Sequence, residues 1–340
     1  MDENENDKRL MKLGQSIRPY IRISRPEYWA NHIFILPGIL LGFMFDPPKA
    51  EDAFALCLRI LWAIACACLV ASSNYVLNEI LDAAKDRFHP EKKNRPLASG
   101  QASVPVAYVQ WLVLAAMGFA VAFGQSMALG FTMVAFWISG MIYNVPPVRL
   151  KDVPYVDVIC ESLNNPIRLC IGWFAAGGEV MPPLSMLFAY WMFGAFLMGI
   201  KRFAEYRHLR SSGQAANYRN SFAYYTEERL QESIFFYGAL FGMLSGFFMA
   251  RYDAEIVLAT PLVALAMAYY IHLGFKENSP VQHPEKLFKE KKLMVLVALA
   301  FVACAVLLYV RMPSFRRAIS PWHIPAGASA AACPTNSIVP

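Results

Sequence analysis

Nine apolar stretches recur along the whole chain, at about 28–46, 55–79, 104–124, 126–143, 155–177, 183–203, 231–250, 255–274 and 292–311. Each is near the ~20 residues an α-helix needs to cross a bilayer. Within the hydrocarbon only a helix or a closed barrel satisfies all of its backbone N–H and C=O groups. The pattern therefore predicts an all-α integral membrane protein of about nine transmembrane helices, with no soluble domain between them. A chain that is 57% hydrophobic and only 16% charged over 340 residues is too apolar for a soluble globular fold of this size.

Lys and Arg fix the expected orientation, because they accumulate in short cytoplasmic loops. They crowd the N-terminal arm from Lys8 to Arg25 and the second-to-third loop from Lys85 to Arg95. They recur at Arg149 and Lys151, from Lys201 to Arg219, and from Lys276 to Lys292. The intervening loops hold Lys49 and Arg251. The N-terminus and every basic loop are thus expected on the cytoplasmic side of a bacterial membrane. Arg311, Arg316 and Arg317 break the pattern if the number of spans is odd. Residues 1–17 read as a flexible polar arm, 18–312 as the membrane domain, and the small-residue, proline-rich 313–340 as a disordered tail. Seven cysteines without a CxxC or a Cys/His set at ligand spacing argue against zinc, iron–sulfur clusters and a disulfide framework. His89 and His208 read first as surface residues.

One stretch breaks the apolar pattern: SNYVLNEILDAAKDRFHPEKKNRPLASG, Ser73 to Gly100. Asn74, Asn78, Asp82 and Asp86 stand four apart, so on a helix they form one polar stripe. A solvated helix end would account for Asp82 and Asp86 alone. It would not account for the two asparagines that carry the stripe inward, nor for Lys92, Lys93 and Arg95 immediately after it. Carboxylates one turn apart beside an amide oxygen offer hard ligands to Mg²⁺, which commonly completes its shell with water and substrate phosphates. Nearby cations would hold the other phosphate oxygens. The combination suits a diphosphate.

Two more charged clusters fall at the same predicted face. GIKRFAEYRHLR ends the sixth span, with Lys201 and Glu205 on one side of a helix and Arg202 beside Lys201. As a surface pair, Lys201 and Glu205 would contribute only ~0.2–0.5 kcal/mol. They matter if the second and sixth helices line one cavity. YNVPPVRLK adds Arg149 and Lys151 after the fourth span.

The stripe resembles the Asp-rich motif of the UbiA superfamily of membrane prenyltransferases, NDxxDxxxD followed by RPxxxG. Here it reads Asn78, Glu79, Asp82 and Asp86, then Arg95, Pro96 and Gly100, with Glu79 in place of the usual Asp. YNVPPVRLK resembles the turn after that superfamily's fourth helix. The second motif, K-R-x-x-E at Lys201, Arg202 and Glu205, is more similar to the decaprenylphosphoryl-phosphoribose synthase branch than to the aromatic prenyltransferases, which usually carry two Asp there. RPEYW, the spacing of Asp157 to Arg168, and RNSFAYYT from Arg219 to Thr226 agree with that branch. Ala30-Asn31-His32 departs from it, and so does ESLNNPIRL, where Asn164, Asn165 and Pro166 could break the fifth helix.

The resemblance implies helices around a central cavity open to the cytoplasm, and a Mg²⁺-dependent transferase joining a polyprenyl lipid to a diphosphate-bearing donor. Asn78, Asp82 and Asp86 would hold the metal. Asp82, Asp86, Lys201 and Glu205 would be catalytic, and Arg95, Arg149, Lys151 and Arg202 would bind diphosphate. Asn74, Tyr143, Asp157, Arg168 and Tyr225 would line the cavity, for which Tyr190, Trp191 and Tyr206 are further aromatic candidates. Membrane lipids are expected as partners and nucleic acid is not. Two transfer chemistries stay open: phosphoribosyl from phosphoribosyl diphosphate to polyprenyl phosphate, or prenyl from a polyprenyl diphosphate to an aromatic acceptor. A transporter would place ionisable groups or broken helices at mid-membrane. Only Asn164-Asn165-Pro166 points that way, since the charges otherwise gather at one face.

Overall fold

The computed structural model describes residues 17–47, 53–88, 92–211, 220–282 and 287–319, and no strand occurs among them. His89 and Arg219 lie outside the described residues, as do most of the N-terminal arm and positions 320–340. Eight of the helical segments are long and apolar enough to cross a membrane. The chain enters through a short helix at 17–23, turns at Arg25, and continues as a 3-10 helix over Pro26–Ile35 that joins α1 (Leu36–Phe45). Then follow α2 (Ala53–Asp86), α3 (Val104–Gln125) and α4 (Met127–Asn144).

The predicted fifth span is two short helices, α5 (Val156–Ser162) and α6 (Asn164–Ala175), separated at Leu163. Pro166 has no N–H to donate and fits the first turn of a new helix, where none is required. The break therefore precedes it by three residues. The remaining elements are α7 (Leu184–Ser211), α8 (Glu227–Tyr252), α9 (Thr260–Gly274), α10 (Lys291–Tyr309) and α11 (Pro313–Ile319).

Two helix pairs dominate the packing, α2 with α3 and α7 with α8. A third contact is made at very close range by glycine. A side chain on Gly38 of α1 would strike the Leu169 carbonyl of α6, and one on Gly172 of α6 would strike the Ile35 carbonyl and Ile39 amide. Small residues let membrane helices approach backbone to backbone, and here they draw α6 against α1. The main apolar cluster lies around this junction, with Ile35, Leu169, Ile171 and Trp173 buried against Ala63, Val70 and Met133. Phe54, Leu61, Phe131, Phe235 and Met243 point outward, as a lipid-facing surface requires.

The anomalous basic residues near the C-terminus have partners. Arg316 donates from Nε and Nη2 to the two Glu255 oxygens at 2.7 and 2.8 Å, and Arg311 donates to Asp253 at 3.1 Å. Both acids are buried in the turn between α8 and α9. Residues 313–319, assigned from composition to the tail, thus form a helix fastened to that turn.

Candidate active site

α2 has 34 residues, so at ~1.5 Å per residue it is ~51 Å long and carries its last turns beyond the apolar stretch. This places the whole polar stripe in a cavity. Asn74, Asn78, Asp82 and Asp86 line a volume of about 970 Å³ at the end of the bundle where α2, α4 and α7 finish. A cavity of this size matches those that enclose small-molecule substrates.

Both carboxylates of the stripe are held by cations. Asp82 accepts from Lys151 Nζ at 2.9 and 2.8 Å and from Arg149 Nη2 at 2.8 Å. Asp86 accepts from Arg95 Nη1 at 2.6 Å. Lys151 also donates to Asn144 at 3.0 Å, and Arg149 to Asp152 at 2.9 Å. The turn after α4 aims these cations: it contains a cis Pro146–Pro147 bond and places Arg149 at φ 30°. The left-handed region costs an ordinary residue ~1–2 kcal/mol, and the two carboxylates that Arg149 spans hold it there. Burial alone would lower the Arg149 pKa, but hydrogen bonds and attraction from Asp82 and Asp152 more than offset this and raise it.

Glu79 has another task. It is buried, accepts from the Leu97 backbone amide at 3.1 Å and lies 4.0 Å from Arg25. The residue that departs from the Asp-rich pattern thus pins the RPLASG segment to α2 and does not face the cavity.

The opposite wall differs from the expectation at Arg202. Its side chain is 1% exposed. Nε donates to Asp157 at 2.9 Å, Nη1 to Glu205 at 2.9 Å and Nη2 to Glu161 at 2.6 Å. Its donors are committed to three carboxylates, so Arg202 organises the wall and has little left for a diphosphate. Tyr143 donates to Glu161 at 2.8 Å. Lys201, next to Arg202, lines the cavity and has no ion pair among the described residues.

Asp157 and Tyr225 lie behind the wall. Asp157 is fully buried and accepts from Tyr225 at 2.6 Å, while the same hydroxyl accepts from the Tyr155 amide at 2.6 Å. Arg168 reaches the cavity, as expected. Of the aromatic candidates Tyr143 lines it, whereas Tyr190 and Trp191 spend their polar hydrogens on the carbonyls of Phe34 and Ile159. Tyr206 packs edge-on against Phe222, and His208 is exposed. Four charged residues to which the sequence reading gave no site role also line the cavity: Arg25, Lys85, Asp152 and Glu161. For Glu161 a signal existed, since it stands four residues after Asp157 on the same helical face.

A helical bundle that gathers paired acids and bases into one cavity at its polar end defines a membrane protein with a charged internal site. Comparison with known proteins narrows this. Residues 35–294 match the UbiA prenyltransferase family, and the chain belongs to that family of integral membrane transferases. Decaprenyl-phosphate phosphoribosyltransferase from Corynebacterium glutamicum is 25% identical over 311 residues, which cover 87% of this chain and 88% of that protein. Nodulation protein NoeC of Azorhizobium caulinodans is 32% identical over 196 residues, 57% of this chain, and the match spans 59% of NoeC. Among solved structures, a UbiA homolog from Archaeoglobus fulgidus bound to GPP and Mg²⁺ superposes with a TM-score of 0.64 at 20% identity, covering 84% of this chain and 99% of that one.

Proposed function

We propose that the enzyme transfers phosphoribose from phosphoribosyl diphosphate to a polyprenyl phosphate in the membrane. One observation carries this reading: Glu161 and Glu205 are presented to the cavity on a buried Arg202. Carboxylates fixed in this way accept hydrogen bonds from adjacent hydroxyl groups, which a ribose has and a prenyl chain lacks. They are locked to Arg202, and among the described residues no further acids group beside them to hold another metal. The relative from Corynebacterium glutamicum, named for phosphoribosyl transfer, supports the same choice.

The donor set at the stripe suits Mg²⁺. Asn78, Asp82 and Asp86 supply hard oxygen atoms from one helix face. Among the described residues no three acidic, His or Cys side chains are grouped to hold a metal by themselves. Such a site is completed by substrate phosphate oxygens, the usual arrangement for Mg²⁺. The solved relative bound to GPP and Mg²⁺ is consistent with this assignment. Bound there, the ion would supply positive charge to the departing diphosphate.

The chain's own groups do the rest. Arg95, Arg149 and Lys151 stand within 2.6 to 2.9 Å of the stripe carboxylates and turn to the diphosphate as it arrives. Lys201, without a carboxylate of its own, grips a remaining phosphate. The bond from ribose C1 to the diphosphate oxygen breaks, a phosphate oxygen of the lipid bonds to C1, and diphosphate leaves. Stabilisation by fixed charges is the main catalytic contribution. Because the donor is water-soluble and the basic loops cluster at this end, the cavity opens to the cytoplasm.

A panel on purified protein tests the reading. Phosphoribosyl diphosphate with polyprenyl phosphate should release diphosphate and give a phosphoribosylated lipid. Turnover of a prenyl diphosphate with an aromatic acceptor, without use of phosphoribosyl diphosphate, would transfer the assignment to the aromatic branch. The homogentisate phytyltransferase of Synechocystis, 28% identical over 196 residues, is the relative that favours that alternative.

A further inference from the structure

At and just behind the inner end of the cavity, three buried polar atoms have no hydrogen-bond partner among the described residues: Asn74 Oδ1 and Arg168 Nε in its lining, and His32 Nδ1 next to them. All three side chains meet at Phe136. The His32 ring approaches it edge-on at 6.3 Å, the Arg168 guanidinium lies 5.5 Å from its centroid, and Asn74 donates to its carbonyl at 3.1 Å. Arg168 donates to Asn165 at 3.3 Å but pairs with no carboxylate among the described residues. In this it differs from Arg95, Arg149 and Arg202, each of which has at least one.

The cluster lies inward of the phosphate-handling mouth. Asn74 stands eight residues before Asp82 on α2, or ~12 Å along the axis. A guanidinium at membrane depth with no carboxylate in direct contact is costly, and such residues mark sites; Glu161 in the same cavity lining is the nearest acid acting on it, at longer range. Three orphaned polar atoms gathered at one residue would not be satisfied by a hydrocarbon tail.

We propose that Arg168 binds the anionic headgroup of the acceptor, seating a lipid phosphate at the inner end of the cavity while the donor occupies the mouth. The choice of phosphate rests on the reading in the preceding subsection. The division between donor and acceptor rests on solubility. A multiply charged, water-soluble donor enters from the charged mouth, whereas a polyprenyl tail must lie in apolar surroundings, so its headgroup sits between that tail and the donor's reacting carbon. Phe34, Ala71 and Tyr75 line the wall beside Arg168 and suit the first carbons of the tail. The guanidinium fork matches phosphate oxygens in a way a lysine does not.

The test is a binding measurement on purified protein in detergent, read as thermal-shift titrations and independent of turnover. Farnesyl phosphate should bind at least tenfold more tightly than farnesol. Arg168→Gln should lose that tenfold, with the affinity for phosphoribosyl diphosphate plus Mg²⁺ unchanged within twofold. Arg168→Lys keeps the charge but loses the fork, so it should bind farnesyl phosphate threefold to tenfold more weakly; this variant stands in if the glutamine variant does not fold. If 4-hydroxybenzoate, and not farnesyl phosphate, binds in an Arg168-dependent way, the anion site stands and the phosphoribosyl reading falls. Undiminished farnesyl phosphate binding in both variants, or an equal loss of donor affinity, overturns the proposal.

Discussion

Lys151 Nζ donates to both carboxylate oxygens of Asp82, at 2.9 and 2.8 Å, across 69 residues of chain. The contact ties the turn after α4 to the last turns of α2, and it makes Asp82 both a ligand candidate and a structural tie. The two roles separate by experiment.

Asp82→Asn should reduce turnover at least 100-fold, because the proposed Mg²⁺ site would lose one of its two carboxylates. It should also lower stability by about 1–3 kcal/mol, since Lys151 and Arg149 lose a buried charged partner. Asp86→Asn should lose turnover with a smaller stability cost, because its partner Arg95 is 24% exposed at the side chain and regains water. Chelator should abolish activity and Mg²⁺ restore it. Either variant retaining more than a tenth of wild-type turnover would remove the metal from this site.

Adjacent residues in the second motif should behave in opposite ways. Arg202→Met leaves Asp157, Glu161 and Glu205 without their shared cation, and breaking a buried ion pair from one side costs about 3–5 kcal/mol. The expected result is a large drop in Tm and poor recovery from the membrane. Lys201→Ala breaks no ion pair among the described residues and should leave Tm unchanged, while raising the donor KM about tenfold. Equal Tm values for the two variants would contradict the wall described for Arg202.

The sequence revealed the membrane spans, the acidic stripe and its basic sequel, because apolar length and four-residue spacing are local properties of one helix. It did not separate Lys201 from Arg202. Both line the cavity, but neighbours on a helix differ by about 100° in direction, and which of them spends its donors on carboxylates depends on α5 lying alongside α7 with Asp157 and Glu161. Glu79 was hidden for a similar reason: its partner is the Leu97 amide, beyond the helix end. Asp157 and Tyr225, expected to line the cavity, lie behind its wall, since spacing says nothing of which side of a wall a residue occupies. The interruption at Leu163 was foreshadowed by Asn164-Asn165-Pro166, whereas the docking of 313–319 depends on buried Glu255, which no local pattern marks.

Orientation gives a third prediction. Cysteines at Lys93 and Glu277 should react with an impermeant maleimide only from the cytoplasmic side, and one at Met181 only from the other, because the basic loops gather at the cavity end. Reaction of Lys93→Cys and Glu277→Cys from opposite sides would separate loops that the structure places at one end of the bundle.

The final prediction concerns glycine. Gly140 on α4 faces Asn74, and a Cβ there would overlap the Asn74 amide. Gly242 and Gly246 on α8 have nothing within 4 Å of the same position. Alanine at Gly242 or Gly246 should therefore be neutral or stabilise the helix by about 0.5–1 kcal/mol, because glycine loses more backbone freedom on folding. Alanine at Gly140 must displace Asn74 and break its 3.1 Å bond to the Phe136 carbonyl. The buried polar group then left unpaired costs about 1–3 kcal/mol. Since Gly140 and Asn74 both line the cavity, the same change should raise the acceptor KM more than the donor KM. Thermal unfolding and steady-state kinetics of Gly140→Ala beside Gly246→Ala measure both effects. A Gly140→Ala enzyme with unchanged Tm and unchanged acceptor KM would show that Asn74 does not sit against α4 in the working protein.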